Sequence, residues 1–307
     1  MSENITTVQE INERARLNPA TFIVETEAGF RKKIDAAVKR IAETQGCKFV
    51  LLAGPSASGK TTSAVFIERE LEKAGVNAHS ISLDNFYKDQ KDSPEYEDGS
   101  PDYESVLSLD LPELDQCLTN LLKQGETSLP LFDFITGKRK VEKEYIRLKE
   151  KDVVVVEGIH ALNPIITETL PKESRLGIYI SVSSRIYGSY DGDVLLGKRD
   201  LRFIRRLIRD YSFRSSSTEN TFYLWKNVLK GEDKYLFPFK DLADLKIDSF
   251  HDYETCVLGS RTVSLLKKAV GSAYTAEAER LIGCLNRFVR LEESVIPKDS
   301  LLREFTG

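Results

Sequence analysis

Short strand-length apolar segments alternate along this chain with longer segments whose apolar residues recur every three or four positions. The strand-length segments predict strands at residues 48–53, 76–83, 152–157, 176–182 and 243–247. The segments with helical spacing predict helices at residues 28–45, 62–74, 111–123, 201–211, 263–270 and 276–290. Because strands alternate with helices, we expect an α/β fold with a parallel sheet covered on both faces.

The remaining segments are polar and suggest the domain organisation. Residues 1–20 contain Pro19 and predict a loosely ordered lead-in, and residues 88–105, rich in Asp, Glu, Pro, Gly and Tyr, predict a long loop. We therefore expect a lead-in with one amphipathic helix over 1–46, a core over 47–260 and a helical C-terminal extension over 261–307. The amphipathic helix is basic and could bind a membrane or a partner, but packing on the core is the favoured interpretation.

The overall composition excludes several classes of protein. The 307 residues include 44 Lys and Arg against 48 Asp and Glu, so the near-neutral balance gives no general attraction to nucleic acid or anionic membrane. No apolar run reaches the ~20 residues of a membrane span, and no secretory signal is visible at the N-terminus. The four cysteines are far apart, which argues against a zinc site or a disulfide framework. We expect a cytoplasmic protein with no membrane or nucleic-acid partner.

The strongest chemical motif is the segment G-P-S-A-S-G-K-T at residues 54–61, which fits the P-loop pattern G-x-x-x-x-G-K-[S/T]. It follows a predicted strand and opens a predicted helix, so that backbone N–H groups and the helix N-terminus can face phosphate oxygens. We expect catalytic Lys60 to reach the β- and γ-phosphates of ATP, and Thr61 to hold Mg²⁺. The expected nucleotide contacts here are Gly54, Ser56, Ala57, Ser58, Gly59, Lys60, Thr61 and Thr62. The guanine and switch motifs of GTPases, N-K-x-D and D-x-x-G, are absent from the sequence.

Two acids end predicted strands on the side where ligands of doubly wound sheets bind. Asp84 follows the second strand and could accept a proton from an attacking hydroxyl, take part in Mg²⁺ binding, or do both. Glu157 ends the strand of four valines and is the expected second metal-associated carboxylate. Each acid also has a structural alternative. Asp84 could cap a helix, and Glu157 could face solvent at the end of its strand.

A strongly basic helix is predicted within residues 198–214. Arg202, Arg205, Arg206 and Arg209 are three or four residues apart and share one helix face. Such a face could clamp phosphates, bind RNA, or pair with acids on a solvated surface. Beside a P-loop, the phosphate lid is the favoured interpretation.

Taken together, the motifs resemble the uridine kinase/phosphoribulokinase family over about residues 48–250. The similar segments, in order, are the P-loop, L-D-N-F-Y at 83–87, F-D-F at 132–134, V-E-G-I-H-A-L at 156–162 and the basic helix. The closing stretch at 296–305 resembles the C-terminal end of bacterial uridine kinase-like proteins. The resemblance implies a five-stranded parallel sheet, a small lid at about 185–215 and a β-hairpin near the acceptor site. Homo-oligomers are common in the family, so a homo-oligomer is among the expected states.

The resemblance also implies roles for individual residues. Asp84 matches the general base for a sugar 5′-hydroxyl, and Thr61 with Glu157 matches the magnesium-associated positions. The four lid arginines match groups that bracket the triphosphate, with catalytic roles for Arg202 and Arg206 and nucleotide contacts for Arg205 and Arg209. The implied substrate contacts are Asp84, Tyr87, Glu104, Phe132, Phe134 and Arg202.

The acceptor end departs from the family pattern. Pyrimidine nucleoside kinases commonly carry Tyr-Asp-Phe and then a base-reading His, where this chain has Phe132 and Gly137; Glu104-Ser105-Val106 replaces an Asp-His-Pro. Lys138 and Arg139 could instead face an anionic acceptor. We expect phosphoryl transfer from ATP, most simply to the 5′-hydroxyl of uridine or cytidine. The alternatives are a phosphorylated sugar or a non-nucleoside alcohol as acceptor, or a nucleotide-dependent RNA-binding or regulatory protein.

Overall fold

A five-stranded parallel sheet lies at the centre of the computed structural model, which describes residues 6–95, 99, 102–133 and 136–307. The described part of the chain contains these strands, five of which form the central sheet: β1 (Thr6–Thr7), β2 (Phe49–Ala53), β3 (Ala78–Ser82), β4 (Glu126–Asp133), β5 (Lys138–Arg147), β6 (Val153–Glu157), β7 (Arg175–Ser181), β8 (Ile186–Tyr187), β9 (Val194–Leu196) and β10 (Leu245–Asp248). The central sheet has the order β10-β7-β2-β6-β3. The prediction of a parallel sheet flanked by helices is confirmed.

Ten α-helices surround the strands in the described part of the chain. They are α1 (Val8–Leu17), α2 (Pro19–Glu43), α3 (Lys60–Lys73), α4 (Leu111–Lys123), α5 (Pro164–Thr167), α6 (Lys198–Phe213), α7 (Thr218–Tyr235), α8 (Glu254–Leu266), α9 (Thr275–Leu285) and α10 (Arg303–Thr306). The pattern predicted α4 with its observed bounds and α3, α6 and α9 within about five residues. It began the helices now seen as α2 and α8 nine residues too late, and it missed α1, α5, α7 and α10. None of the described helices is long and apolar enough to cross a membrane.

The central strands are buried on both faces because a hydrophobic cluster covers each face. Along β2, Val50 and Leu52 belong to one cluster, whereas Phe49 and Leu51 belong to the other. Because both faces of these strands are buried, successive residues are apolar and the strands appear in the sequence as continuous apolar runs. The first cluster includes residues of α1, α2, α3, α6, α8 and α9, and the second includes residues of α4 and of the hairpin formed by β4 and β5.

The prediction of a loosely ordered lead-in is wrong for residues 8–17, which form α1. Thr7 and Glu10 form a capping box, in which the Thr7 side chain accepts from the Glu10 N–H and the Glu10 carboxylate accepts from the Thr7 N–H. Asn18 then caps α2, and Pro19 occupies its first turn. Pro19 therefore begins a helix, as its fixed φ allows.

The N-terminal and C-terminal segments share the core of the central sheet. Val8 and Ile11 of α1 lie in the same hydrophobic cluster as Leu301 and Phe305 near the C-terminus. In addition, β1 pairs with β8, so the N-terminus contacts the segment that was predicted as a lid. The packing of the amphipathic α2 on the core agrees with the favoured interpretation of that helix.

We predict that α1 contributes to the stability of the whole protein. Ile11→Ala should lower the free energy of unfolding by about 2–5 kcal/mol because Ile11 is only 1% exposed within the core. Urea unfolding followed by circular dichroism measures this change. Leu17→Ala, at a position of the same helix that is 78% exposed, is the matched control and should change stability by no more than about 0.5 kcal/mol. Equal effects of the two substitutions would contradict the integration of α1 into the core.

Candidate active site

The P-loop connects β2 to α3, and two glycines allow its shape. A Cβ at Gly54 would lie 2.1 Å from the carbonyl oxygen of Ile180, so β7 leaves no room for a side chain there. Gly59 has a φ of 84° and caps α3 in the left-handed region, which favours glycine. Ala57 also has a positive φ, of 57°, which is uncommon for a residue with a side chain. The loop therefore has a strained, compact backbone directly before a helix N-terminus.

A buried ion pair holds the backbone of Ser56 from both sides. The carboxylate of Glu232 in α7 accepts from the Ser56 N–H at 2.9 Å, and the Arg202 guanidinium in α6 donates to the Ser56 carbonyl oxygen at 2.8 Å. Arg202 and Glu232 also pair with each other, and their side chains are 3% and 0% exposed. Arg206 adds a hydrogen bond of 2.8 Å to the Ser56 hydroxyl. These contacts tie the P-loop to α6 and α7.

A cleft of about 230 Å³ opens beside the P-loop at the carboxyl ends of the strands. Its cationic groups belong to Lys60, Arg206, Arg209 and Arg214, and its carboxylates belong to Asp84, Glu104, Glu157 and Glu304. The other lining residues are Ser56, Ala57, Ser58, Gly59, Thr61, Tyr87 and Ile159. The cations suit phosphate groups, and the carboxylates suit a divalent cation or a hydroxyl donor.

Asp84 and Glu157 approach each other because β3 and β6 are neighbouring strands, with Ser82 opposite Glu157 in the register. The Ser82 hydroxyl donates to the Glu157 carboxylate at 2.7 Å. Burial raises the pKa of Glu157 to about 7, and the nearby Asp84 carboxylate adds to this shift. Burial also raises the pKa of Asp84, although Lys60 opposes the shift. Asp84, Glu157 and Lys60 thus line one cleft.

Glu104 reaches the same cleft because α7 has a glycine opposite it. A Cβ at Gly231 would lie 2.2 Å from the Glu104 Cβ, so only glycine allows the two segments to pack this closely. Burial raises the pKa of Glu104 to about 7, with Arg206 opposing the shift and Glu232 and Asp84 increasing it.

The arginines of α6 divide into two groups. Arg206 and Arg209 line the cleft, and their guanidinium groups pair with the buried carboxylate of Asp210 at 3.0 Å. Arg205 is fully buried and binds Glu254 and Ser249 instead, so the expectation that it contacts the nucleotide needs correction: its guanidinium is engaged within the core. Arg202 also lies outside the residues that line the cleft, because its guanidinium is engaged by Ser56 and Glu232.

The residues expected on the acceptor side lie on the hairpin and on the segment after β3. The rings of Tyr87 and Phe132 lie 5.7 Å apart, and the Asn85 side chain accepts from the Phe132 N–H at 3.4 Å. Phe134, also expected here, lies outside the described residues. The guanidinium of Arg139 already binds the carboxylates of two acids of the α4 segment, Asp110 and Glu113. This engagement argues against Arg139 as a free anion-binding group.

Sequence reasoning missed three groups near the P-loop. Arg214 belongs to the basic run but lies one residue past α6, and its guanidinium is 3.7 Å from the Asp210 carboxylate. Glu232 lies in α7, which was not predicted, and Glu304 lies close to the C-terminus. The basic run offered a signal for Arg214, whereas Glu232 and Glu304 reach the P-loop across 176 and 242 residues of sequence.

The residues at the cleft fit a nucleotide-bound magnesium ion. Burial raises the pKa of both Asp84 and Glu157, although the Lys60 ammonium group opposes the shift at each acid. Among the described residues, no group of three or more His, Cys, Asp or Glu side chains could hold a metal ion by itself. Such a site suits Mg²⁺, which is commonly bound through one or two carboxylates together with substrate phosphates.

The fold and the cleft together define a P-loop kinase. The model of the phosphoribulokinase/uridine kinase family matches residues 49–256, and the chain belongs to this family. A uridine kinase from Staphylococcus haemolyticus is 31% identical over 200 residues, which cover 64% of this chain and 84% of the relative. A uridine kinase from Borrelia garinii is 30% identical over 226 residues, covering 73% and 98%. A solved structure described as a possible uridine kinase from Bacillus stearothermophilus is 20% identical, covers 71% of this chain and 98% of its own, and has a TM-score of 0.47.

We predict that Glu104 makes the stability of the ligand-free protein depend on pH. A carboxyl group whose pKa is higher in the folded state binds its proton more tightly there, so its contribution to stability is largest at low pH. That contribution is lost as pH rises from about 4.5 to above about 7, and the pKa difference corresponds to roughly 3 kcal/mol. Urea unfolding at a series of pH values should therefore give a flatter stability profile for Glu104→Gln.

Glu142→Gln, at an exposed position of β5, is the control for the loss of one carboxylate and should retain the wild-type profile. A Glu104→Gln profile that also parallels the wild type would show that Glu104 does not titrate in this range.

Proposed function

We propose that this kinase transfers the γ-phosphoryl group of ATP to a hydroxyl group of a small molecule, with uridine or cytidine as the first candidate acceptors. The observation that carries the proposal is the position of Asp84, which lines one cleft together with Lys60, the P-loop, Tyr87 and Glu104. A hydroxyl bound between these groups would lie where a carboxylate can orient it and accept its proton.

The cationic residues of the cleft would stabilise the charge on the transferring group. Lys60, Arg206 and Arg209 already line the cleft before the reaction. The Asp210 carboxylate orients the guanidinium groups of Arg206 and Arg209. Thr61, Asp84 and Glu157 would hold Mg²⁺, which neutralises phosphate charge when it is bound. Arg202 has an indirect part in this proposal: it positions Ser56 and thereby the P-loop.

The nucleoside acceptor is supported by the relatives, which are uridine kinases at about 30% identity, and by the two aromatic rings at the acceptor side. Gly137 offers no side chain to read a base edge, so another group would have to do so. A phosphorylated sugar is less well supported because Arg139 is engaged by two acids. A non-nucleoside alcohol is therefore the alternative acceptor.

An RNA-binding role for α6 has little support. Arg202, Arg205 and Arg206 are each less than 9% exposed, so their charges are not available on an open surface. A basic RNA-binding face needs such exposed charges to reach the phosphate backbone.

We predict that Asp84→Asn abolishes most phosphoryl transfer and leaves ATP binding largely intact. Loss of the proton acceptor should lower kcat by about 10²–10⁴-fold, whereas the P-loop contacts remain. ADP release is measured with ATP and Mg²⁺ against uridine, cytidine, purine nucleosides, ribulose 5-phosphate and pantothenate, and ATP binding by calorimetry.

Asp89→Asn is the matched control. Asp89 lies five residues further on, where its side chain accepts from the Arg139 N–H, and an amide oxygen can still accept there. Near-normal turnover of Asp84→Asn would refute Asp84 as the base. Turnover with a non-nucleoside alcohol and none with nucleosides would select the alternative acceptor.

A further inference from the structure

The last twelve residues, 296–307, pack against the P-loop although they lie outside the family match, which ends at residue 256. We call residues 296–307 the C-terminal strap. The Leu301 side chain of the strap lies against Gly59, because a Cβ added at Gly59 would be 2.5 Å from the Leu301 Cδ1. Gly59 is therefore needed both for its backbone conformation and for the space that Leu301 occupies.

The strap is firmly anchored away from the cleft. Leu301, Leu302 and Phe305 are fully buried in the core, and the guanidinium of Arg205 lies 5.3 Å from the centre of the Phe305 ring. Arg31 of α2 pairs with Asp299, and the hydroxyl groups of Tyr253 and Ser300 are 3.4 Å apart. The backbone of the strap is thus held on several sides. A side chain of the strap that faces the cleft can therefore move while this backbone stays in place.

Glu304 points from the strap into the cleft and occupies two hydrogen-bond donors of α3. Its carboxylate accepts from the Thr62 hydroxyl at 2.7 Å and lies 3.4 Å from the Thr62 backbone nitrogen, in bonding geometry. Thr62 lies in the first turn of α3, whose N–H groups have no partner within the helix. These groups are the ones that a helix N-terminus offers to a phosphate.

We propose that Glu304 competes with the phosphates of the nucleotide for the donors of Thr62, so that the C-terminal strap lowers the affinity of the P-loop for ATP. The Thr62 donors cannot keep their bonds to the carboxylate and also bind a phosphate oxygen. In addition, the carboxylate places a negative charge in the cleft that receives the triphosphate. Binding of the nucleotide would then require the Glu304 side chain to turn away while the strap stays in place.

The proposal rests on the proposed function only in that the P-loop binds ATP, and a binding experiment without acceptor tests it. Glu304→Gln keeps the size of the side chain but removes its charge, and a neutral acceptor is a weaker competitor. Calorimetry with Mg²⁺ and ATP should give a Kd about tenfold lower than that of the wild type, which corresponds to about 1.4 kcal/mol. Inorganic triphosphate should show a gain of similar size because the competition concerns phosphate oxygens.

Glu292→Gln makes the same change of charge at an exposed position outside the strap and should leave Kd unchanged. An unchanged or higher Kd for Glu304→Gln would overturn the proposal, the higher value by showing that Glu304 helps to bind the nucleotide or its metal. Thermal unfolding of both variants identifies any effect that comes from loss of folding.

A double-mutant cycle separates competition at Thr62 from a general effect of charge. Thr62→Val removes the hydroxyl donor, and in that background the gain from Glu304→Gln should shrink to about threefold or less. A full tenfold gain in the Thr62→Val background would contradict competition at this residue. Lys60→Ala should abolish ATP binding whatever the role of Glu304, and retained binding in that variant would overturn the nucleotide site itself.

Discussion

The buried ion pair between Arg202 and Glu232 determines where the P-loop lies. It engages both the N–H and the carbonyl group of Ser56, and it joins the loop to α6 and α7 through two buried side chains. Removing one partner of such a pair leaves an uncompensated buried charge, which typically costs about 3–5 kcal/mol. Arg206 reaches the cleft from the same helix, and Gly231 of α7 admits Glu104 one residue before Glu232. The position of the cleft groups therefore depends on this contact.

The cleft combines three arginines that share the Asp210 carboxylate with four acids that line it. Asp210 orients Arg206 and Arg209, whereas burial raises the pKa of Glu104 and of Glu157 to about 7. Oriented cations and desolvated acids are what transfer of a phosphoryl group between two oxygen atoms requires. Glu304 of the C-terminal strap changes this balance of charge, because it adds one more negative charge where the phosphates are expected to bind.

The sequence predicted the parts of this site that depend on local pattern. Gly54, Gly59 and Lys60 belong to one short motif, and Asp84 and Glu157 end strands whose carboxyl ends meet at one edge of the sheet. Helical spacing placed the α6 arginines on one face, but it could not show that Arg205 turns into the core against Glu254. Glu232 and Glu304 reach the P-loop only through tertiary packing, so no local signal exists for them. At the N-terminus, the lead-in prediction failed because the Thr7–Glu10 capping box begins α1 and the Asn18-Pro19 pair begins α2.

The most direct test of the account is the identity of the phosphorylated product. Phosphorus NMR of the wild-type protein with ATP, Mg²⁺ and uridine follows ATP, ADP, inorganic phosphate and any phosphate monoester in the same sample. We expect a monoester on the 5′-oxygen of uridine that forms in equal amount to ADP, with little inorganic phosphate. ADP accompanied only by inorganic phosphate, with uridine unchanged, would contradict the proposed transfer to uridine.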